Sequence, residues 1–201
     1  SSDRNLKIYQ GRLERGEEFS PRDLYYHGNE LFDHGMYQEA VEVYERFLKD
    51  NRGWVEDNIA CCGKLADCYH HLGEHDKEIA SVVRSFTYDS PRPEFCCRMG
   101  HHFLMKEQFL DAVFWYRLAV RHQRKADFLG FQNTAYSTWL PHLQLCVCYS
   151  KLGAHRLAYL HNEAALCYRP NDPIILSNKV FLEDVLADNG ISDQYNGKDL
   201  I

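Results

Sequence analysis

The chain has 201 residues with a net charge of −6, acids and bases interleaved, so no basic patch for nucleic acid is present. It is 45% hydrophobic and 13% aromatic, enough for a stacked core. No apolar run approaches the ~18 residues of a membrane span. It opens Ser-Ser-Asp, without a methionine or a signal-peptide pattern, and is expected to be cut from a longer protein. Leu6, Tyr9 and Leu13 recur at helical spacing, predicting a helix over Arg4–Arg15 inside a linker of residues 1–18.

From residue 19 a frame repeats four times, to about residue 188. Repeat one reads Gly28-x-x-Leu31-x-x-x-Gly35-x-Tyr37-x-x-Ala40-x-x-x-Tyr44, after Ser20-Pro21-Arg22-Asp23, which supplies an N-cap, a first-turn proline and an acid at N3. Repeat two, Ile59 to Arg92, keeps Leu65-Ala66-x-x-Tyr69-x-x-x-Gly73 but has Glu78 where alanine belongs, so its second helix is expected to sit slightly apart. Repeat three reads Gly100-x-x-Phe103-(x)5-Phe109-x-x-Ala112-x-x-x-Tyr116-x-x-Ala119. Its distance to repeat four is enlarged by Gln123 to Thr138, which holds Phe128, Phe131 and Tyr136. Such an insertion is either a recognition surface or a lengthened helix and loop. Repeat four is Leu145-Cys146-x-x-Tyr149-x-x-x-Gly153-x-x-x-x-Ala158-(x)6-Ala165. Asp172-Pro173 then starts a last helix to about Leu186, expected as a terminal cap, and residues 189–201 form a polar tail expected to fray.

Small residues (Gly28, Ala66, Gly100, Cys146) fall where paired helices approach closely, and Tyr44, Tyr116, Leu31, Tyr69, Phe103 and Tyr149 fill the space beside them. This is the tetratricopeptide pattern. It predicts an all-α solenoid of antiparallel helix pairs with flanking helices, in which neighbours must stack to bury their apolar faces.

Eight cysteines and eleven histidines raise the question of metal. The cysteines come as Cys-Cys or Cys-x-Cys, and neighbours on a helix point about 100° apart, unlike the Cys-x-x-Cys pairs of zinc sites. Cys62, Cys96 and Cys146 lie on core positions and read as small buried hydrophobes. His70-His71-x-x-x-His75 straddles a turn and reads as solvated helix-end residues. No metal site, cofactor or disulfide is expected, and free thiols imply a reducing cytoplasm. No nucleophile elbow, phosphate-binding loop or dinucleotide fingerprint occurs, so no catalytic residue is assigned and this stretch is not itself an enzyme.

The expected binding surface is the concave face lined by the first helix of each pair. The frame places Arg22, Tyr26 and Asn29 there, then Lys64, Asp67 and His71, then Arg98 and His101, then Gln144 and Val147. Lys64 and Arg98 suit a peptide carboxylate and Asn29 a backbone amide. The carboxylate clamp of chaperone-binding tetratricopeptide domains is similar at Asn29 and Arg98 and departs at Tyr25 and Glu94.

Longer stretches carry a second resemblance. Trp54-Val-Glu-Asp-Asn, Lys64-Leu-Ala-Asp-Cys-Tyr-His-His-Leu-Gly73, Pro93-Glu-Phe-Cys-Cys-Arg-Met-Gly100, Phe114-Trp-Tyr-Arg-Leu-Ala119 and Thr138-Trp-Leu-Pro-His-Leu-Gln-Leu-Cys-Val-Cys-Tyr149 resemble the C-terminal half of bacterial family-2 glycosyltransferases. There a nucleotide-sugar-binding domain precedes a tetratricopeptide array. The resemblance implies a non-catalytic domain binding an acceptor peptide or protein, or forming a homodimer. The family's Asp-x-Asp metal motif has no counterpart here. Two other readings stay open: a free-standing adaptor for protein–protein interaction, and a Cys/His-based metal or thiol regulator.

Overall fold

Every helix pair closes through the same turn, and the chemistry of that turn is written in one residue. Gly35, Gly73 and Gly153 hold φ of 71°, 73° and 75°, the left-handed region that glycine enters at least cost. Repeat three has Glu107 there, at φ 57°. The residue after each turn then donates its N–H back to the carbonyl of the repeat's large residue. These bonds are Met36 to Leu31, Glu74 to Tyr69, Gln108 to Phe103 and Ala154 to Tyr149, at 2.8–2.9 Å. Each first helix is thus stopped by a Schellman-type cap and the chain reversed.

A computed structural model describes residues 2–50, 52–121 and 133–188. Among them the structure is all helical, with no strand. The chain divides into two compact units, Ser1–Pro91 and Arg92–Ile201.

In the first unit α1 (Ser2–Glu14) packs on α2 (Pro21–Asp33), which pairs with α3 (Tyr37–Asp50); α4 (Val55–His71) pairs with α5 (His75–Ser85) and packs on α3. The capping box is present: the Asp23 N–H donates to Ser20 Oγ at 3.2 Å, and the Ser20 N–H to Asp23 Oδ2 at 3.0 Å. Asp23 Oδ1 also accepts from Arg12 Nη1 at 2.7 Å, tying α1 to α2, and that bond holds the carboxyl well below its ordinary range. The core is Leu24, Leu31, Tyr44, Phe47, Leu48, Cys61, Cys62 and Leu65 with their neighbours. Helix α4 begins four residues before Ile59, with Glu56 and Asp57 in its first turn, where the helix dipole favours acids.

In the second unit α6 (Pro93–Met105) pairs with α7 (Phe109–Arg121) and α8 (Trp139–Lys151) with α9 (His155–Tyr168), while α10 (Pro173–Asp188) lies on α9. A short 3-10 turn, Thr134–Ser137, packs on α6, α7 and α8. Asp172 caps α10 as the sequence indicates, its Oδ1 accepting from the Ile174 N–H at 3.0 Å. The other face of α10 leaves Ile174, Leu176, Val180 and Phe181 exposed, apolar where the terminal cap of a repeat array is polar.

Within each pair the closest approach obeys a volume rule. A Cβ on Gly28 would meet Tyr44 Cε1 at 2.5 Å, and one on Gly100 would meet Tyr116 Cε1 at 2.8 Å. Where the small residue grows to Ala66 or Cys146, the equivalent partner shrinks to Val82 or Asn162, both fully buried. Asn162 accepts from the Cys146 thiol at 3.9 Å and donates from Nδ2 to the Ile175 carbonyl at 2.9 Å, bonding α9 to α10.

Seven of the eight cysteines are buried and Cys167 is exposed. Burial pushes the thiols of Cys62 and Cys146 up to about 11, and those of Cys68, Cys96 and Cys148 up to about 12. Thiols so far from ionising pack as hydrophobes and are poor nucleophiles.

Candidate protein-binding surfaces

The first unit presents its candidate residues from α2 and α4. Tyr26 is exposed, with the Arg22 guanidinium 5.5 Å from its ring centroid. Asn29 is engaged inside the repeat: its Oδ1 accepts from the buried Tyr44 hydroxyl at 2.7 Å, and its side chain also hydrogen-bonds Tyr25. Asn29 therefore braces the Gly28–Tyr44 contact, leaving less of its amide for a ligand than the sequence suggests. Lys64 is half-buried, with Nζ 4.0 Å over the Phe32 ring. His71 is exposed and stacks on Tyr37, with centroids 4.3 Å apart and planes 5° from parallel, while Phe32 meets Tyr37 edge-on at 5.6 Å. Asp67 is half-buried on α4.

Lys64, Phe32, Tyr37 and His71 thus form one cation–aromatic surface. The sequence marks Lys64 and His71 but not the two rings. Phe32 and Tyr37 flank the Gly35 turn, and Tyr37 stands in the repeat frame without an assigned role; the available signal was aromatic residues on both sides of a turn glycine.

The second unit carries Arg98 half-buried and His101 exposed on α6, and Gln144 half-buried on α8. Val147 lines an open cleft between α8 and α10 with Cys146, Ser150, Asn178 and Phe181. Of the insertion residues, Phe128 and Phe131 lie outside the described residues. Tyr136 sits in the 3-10 turn, packed half-buried against the core, and its carbonyl accepts from the Cys97 thiol at 3.4 Å. It anchors the end of the insertion.

Trp139 and His142, from the most specific stretch of the sequence, are internal fittings. The Arg169 guanidinium lies 4.4 Å from the Trp139 ring. His142 Nδ1 is 2.9 Å from His161 Nδ1, and His161 stacks on Tyr149 at 5.4 Å. Burial lowers the pKa of both imidazoles, that of His161 to about 4 with help from His142 and Arg117. One neutral ring donates the shared proton and the other accepts it.

Solved structures share this architecture. A crystal structure of MamA is 18% identical, covering 80% of this chain and 84% of that one, with a TM-score of 0.63. A crystal structure of BtubC (BKLC) from P. vanneervenii is 16% identical, covering 93% of this chain and 82% of that one, at 0.67. The chain has the tetratricopeptide repeat fold. A second MamA crystal structure agrees, at 16% identity and a TM-score of 0.58, covering 94% of this chain and 97% of that one. At these identities the likeness concerns the fold alone. No family model matches the chain, and no curated protein matches it. No helix among the described residues is long and apolar enough to cross a membrane.

Proposed function

We propose that this tetratricopeptide array is a protein-interaction module, an adaptor holding a segment of a partner against the first helices of its pairs. The observation that carries the reading is the Lys64–Phe32–Tyr37–His71 surface. An ammonium over a ring, beside an exposed imidazole stacked on a tyrosine, offers a carboxylate a charge-assisted partner and an aromatic side chain a platform. Arg98 offers the same charge on the second unit. The partner chemistry this favours is an extended acidic segment, or a chain-terminal carboxylate, with an aromatic or apolar neighbour.

The test is a binding isotherm on single and double variants. Each charge-assisted bond contributes ~1.5–3 kcal/mol at best. Lys64→Ala with Arg98→Ala should weaken partner binding at least about tenfold, with the helical content retained. Normal binding by the double variant, together with loss on Phe128→Ala and Phe131→Ala, would place recognition on the insertion instead.

A finer reading makes the array an accessory domain of a bacterial family-2 glycosyltransferase, engaging the acceptor or a second copy of the chain. Its support is the set of sequence stretches ending at Thr138-Trp-Leu-Pro-His. Under that reading sugar transfer belongs to a nucleotide-sugar-binding domain outside these residues. The buried free thiols support a reducing, cytoplasmic setting for either reading.

A further inference from the structure

Glu78 breaks the repeat. At its position the other three pairs place Ala40, Ala112 and Ala158, each with no exposure at all. A carboxylate at a helix–helix contact carries a desolvation cost, so something should meet it. Two imidazoles do. Glu78 Oε2 lies 3.0 Å from His70 Nδ1 and 3.3 Å from His75 Nδ1. The donor atoms of the three residues all lie within 4.8 Å of one another, the one such group among the described residues.

The three residues occur together in repeat two only. The positions of His70, His75 and Glu78 hold Phe32, Tyr37 and Ala40 in repeat one, Leu104, Phe109 and Ala112 in repeat three, and Ser150, His155 and Ala158 in repeat four. The rest of the array uses this corner mainly for packing, and repeat two alone gathers three metal-ligating side chains there. The backbone that places them is stiff. His70 is in the last turn of α4, the Gly73 turn reverses the chain, and His75 and Glu78 stand one turn apart on α5.

We propose that His70, His75 and Glu78 form a binding site for a borderline divalent cation of the Zn2+ class. Two imidazole nitrogens and one carboxylate are a donor set that zinc accepts with the fourth position left open. With ligand bonds of about 2.0–2.2 Å, tetrahedral donors stand roughly 3.4 Å apart, so the two carboxylate–imidazole spacings of 3.0 and 3.3 Å need to open by only a few tenths of an ångström, while the two imidazole nitrogens, within 4.8 Å of each other, adjust by rotation of their exposed side chains. The metal would replace the imidazole protons that now face the carboxylate. The Glu78 side chain is 14% exposed and those of His70 and His75 are 61% and 69% exposed. The carboxylate is therefore fixed from inside while the open coordination position faces solvent. There it can take water or a donor atom from a bound protein. A bound ion also staples α4 to α5 across their turn and stabilises that hairpin by mass action.

The test titrates the purified chain with Zn2+ by calorimetry in a Cys167→Ser background, which removes the exposed thiol, and follows thermal melting with and without the metal. Glu78→Ala installs the residue the other repeats use, so it keeps the fold; His75→Ala removes an exposed ligand. We expect one saturable Zn2+ equivalent and a metal-dependent rise in melting temperature for the parent. In each variant binding should weaken at least about tenfold and the rise should disappear. Absence of saturable uptake by the parent, or equal uptake by Glu78→Ala and the parent, overturns the proposal. Co2+ gives a second reading: ligand-field bands without thiolate charge transfer support the site, and thiolate bands overturn it.

Discussion

Gly100→Leu is expected to be the most damaging single change in the second unit. Even a Cβ there comes within 2.8–2.9 Å of three ring atoms of Tyr116, which is fully buried between α6 and α7. Overpacking of a close helix crossing costs ~1–3 kcal/mol or more, and leucine adds three further carbons. The volume rule sharpens this into a cycle, because Ala66 opposite Val82 shows how the fold accommodates a larger small residue. Gly100→Ala and Tyr116→Val should each destabilise, the second by leaving a cavity. Combined, they should cost less than their sum, with a coupling of about 1 kcal/mol or more. Chemical denaturation of the four proteins measures it. Strict additivity would mean that these residues do not share the contact on which the repeat register rests.

Acidification should unfold the second unit early, through His161. Its folded pKa of about 4 lies below the ordinary imidazole value of 6.5, so the native state stays neutral while the unfolded chain takes up a proton. Stability is therefore fully present above about pH 6.5 and is lost as pH falls toward 4, by roughly 3 kcal/mol. His142 is shifted the same way by burial and adds to the loss. Asp23 and Glu17, held low by Arg12, weaken the first unit at lower pH. The comparison with His161→Gln isolates the effect. That variant should start less stable, having lost the stack on Tyr149, and show a flatter decline between pH 7 and pH 4.5. Parallel declines would mean that the imidazole is solvated and titrates normally.

The repeat frame was legible because its signals are steric and local. Glycine at three of four turns, a small residue opposite a large one, and Ser20 and Asp172 at helix starts each state a backbone or packing requirement without a partner from afar. Cysteine burial was legible for the same reason, since Cys62, Cys96 and Cys146 fall on positions the frame had already assigned to the core. What escaped depends on two positions at once. Asn162 is polar yet fully buried because it bonds both the Cys146 thiol and the Ile175 carbonyl, a pairing that periodicity does not register. Asn29 projects to the candidate face in the frame but is drawn inward by the Tyr44 hydroxyl. Glu78 read as a poor substitute for alanine until His70 and His75 were seen beside it. Trp139 and His142, which give the sequence its most specific resemblance, serve internal contacts with Arg169 and His161.

The central claim is that partners are held on the first-helix faces. Its most direct test maps backbone amide chemical shifts while a peptide, selected from a displayed library against the chain, is titrated in. The account predicts saturable shifts on α2 and α4 around Tyr26, Phe32, Lys64 and His71, reduced by Lys64→Ala. Shifts confined to the second helices α3, α5, α7 and α9, or a library that yields no binding peptide, would contradict it.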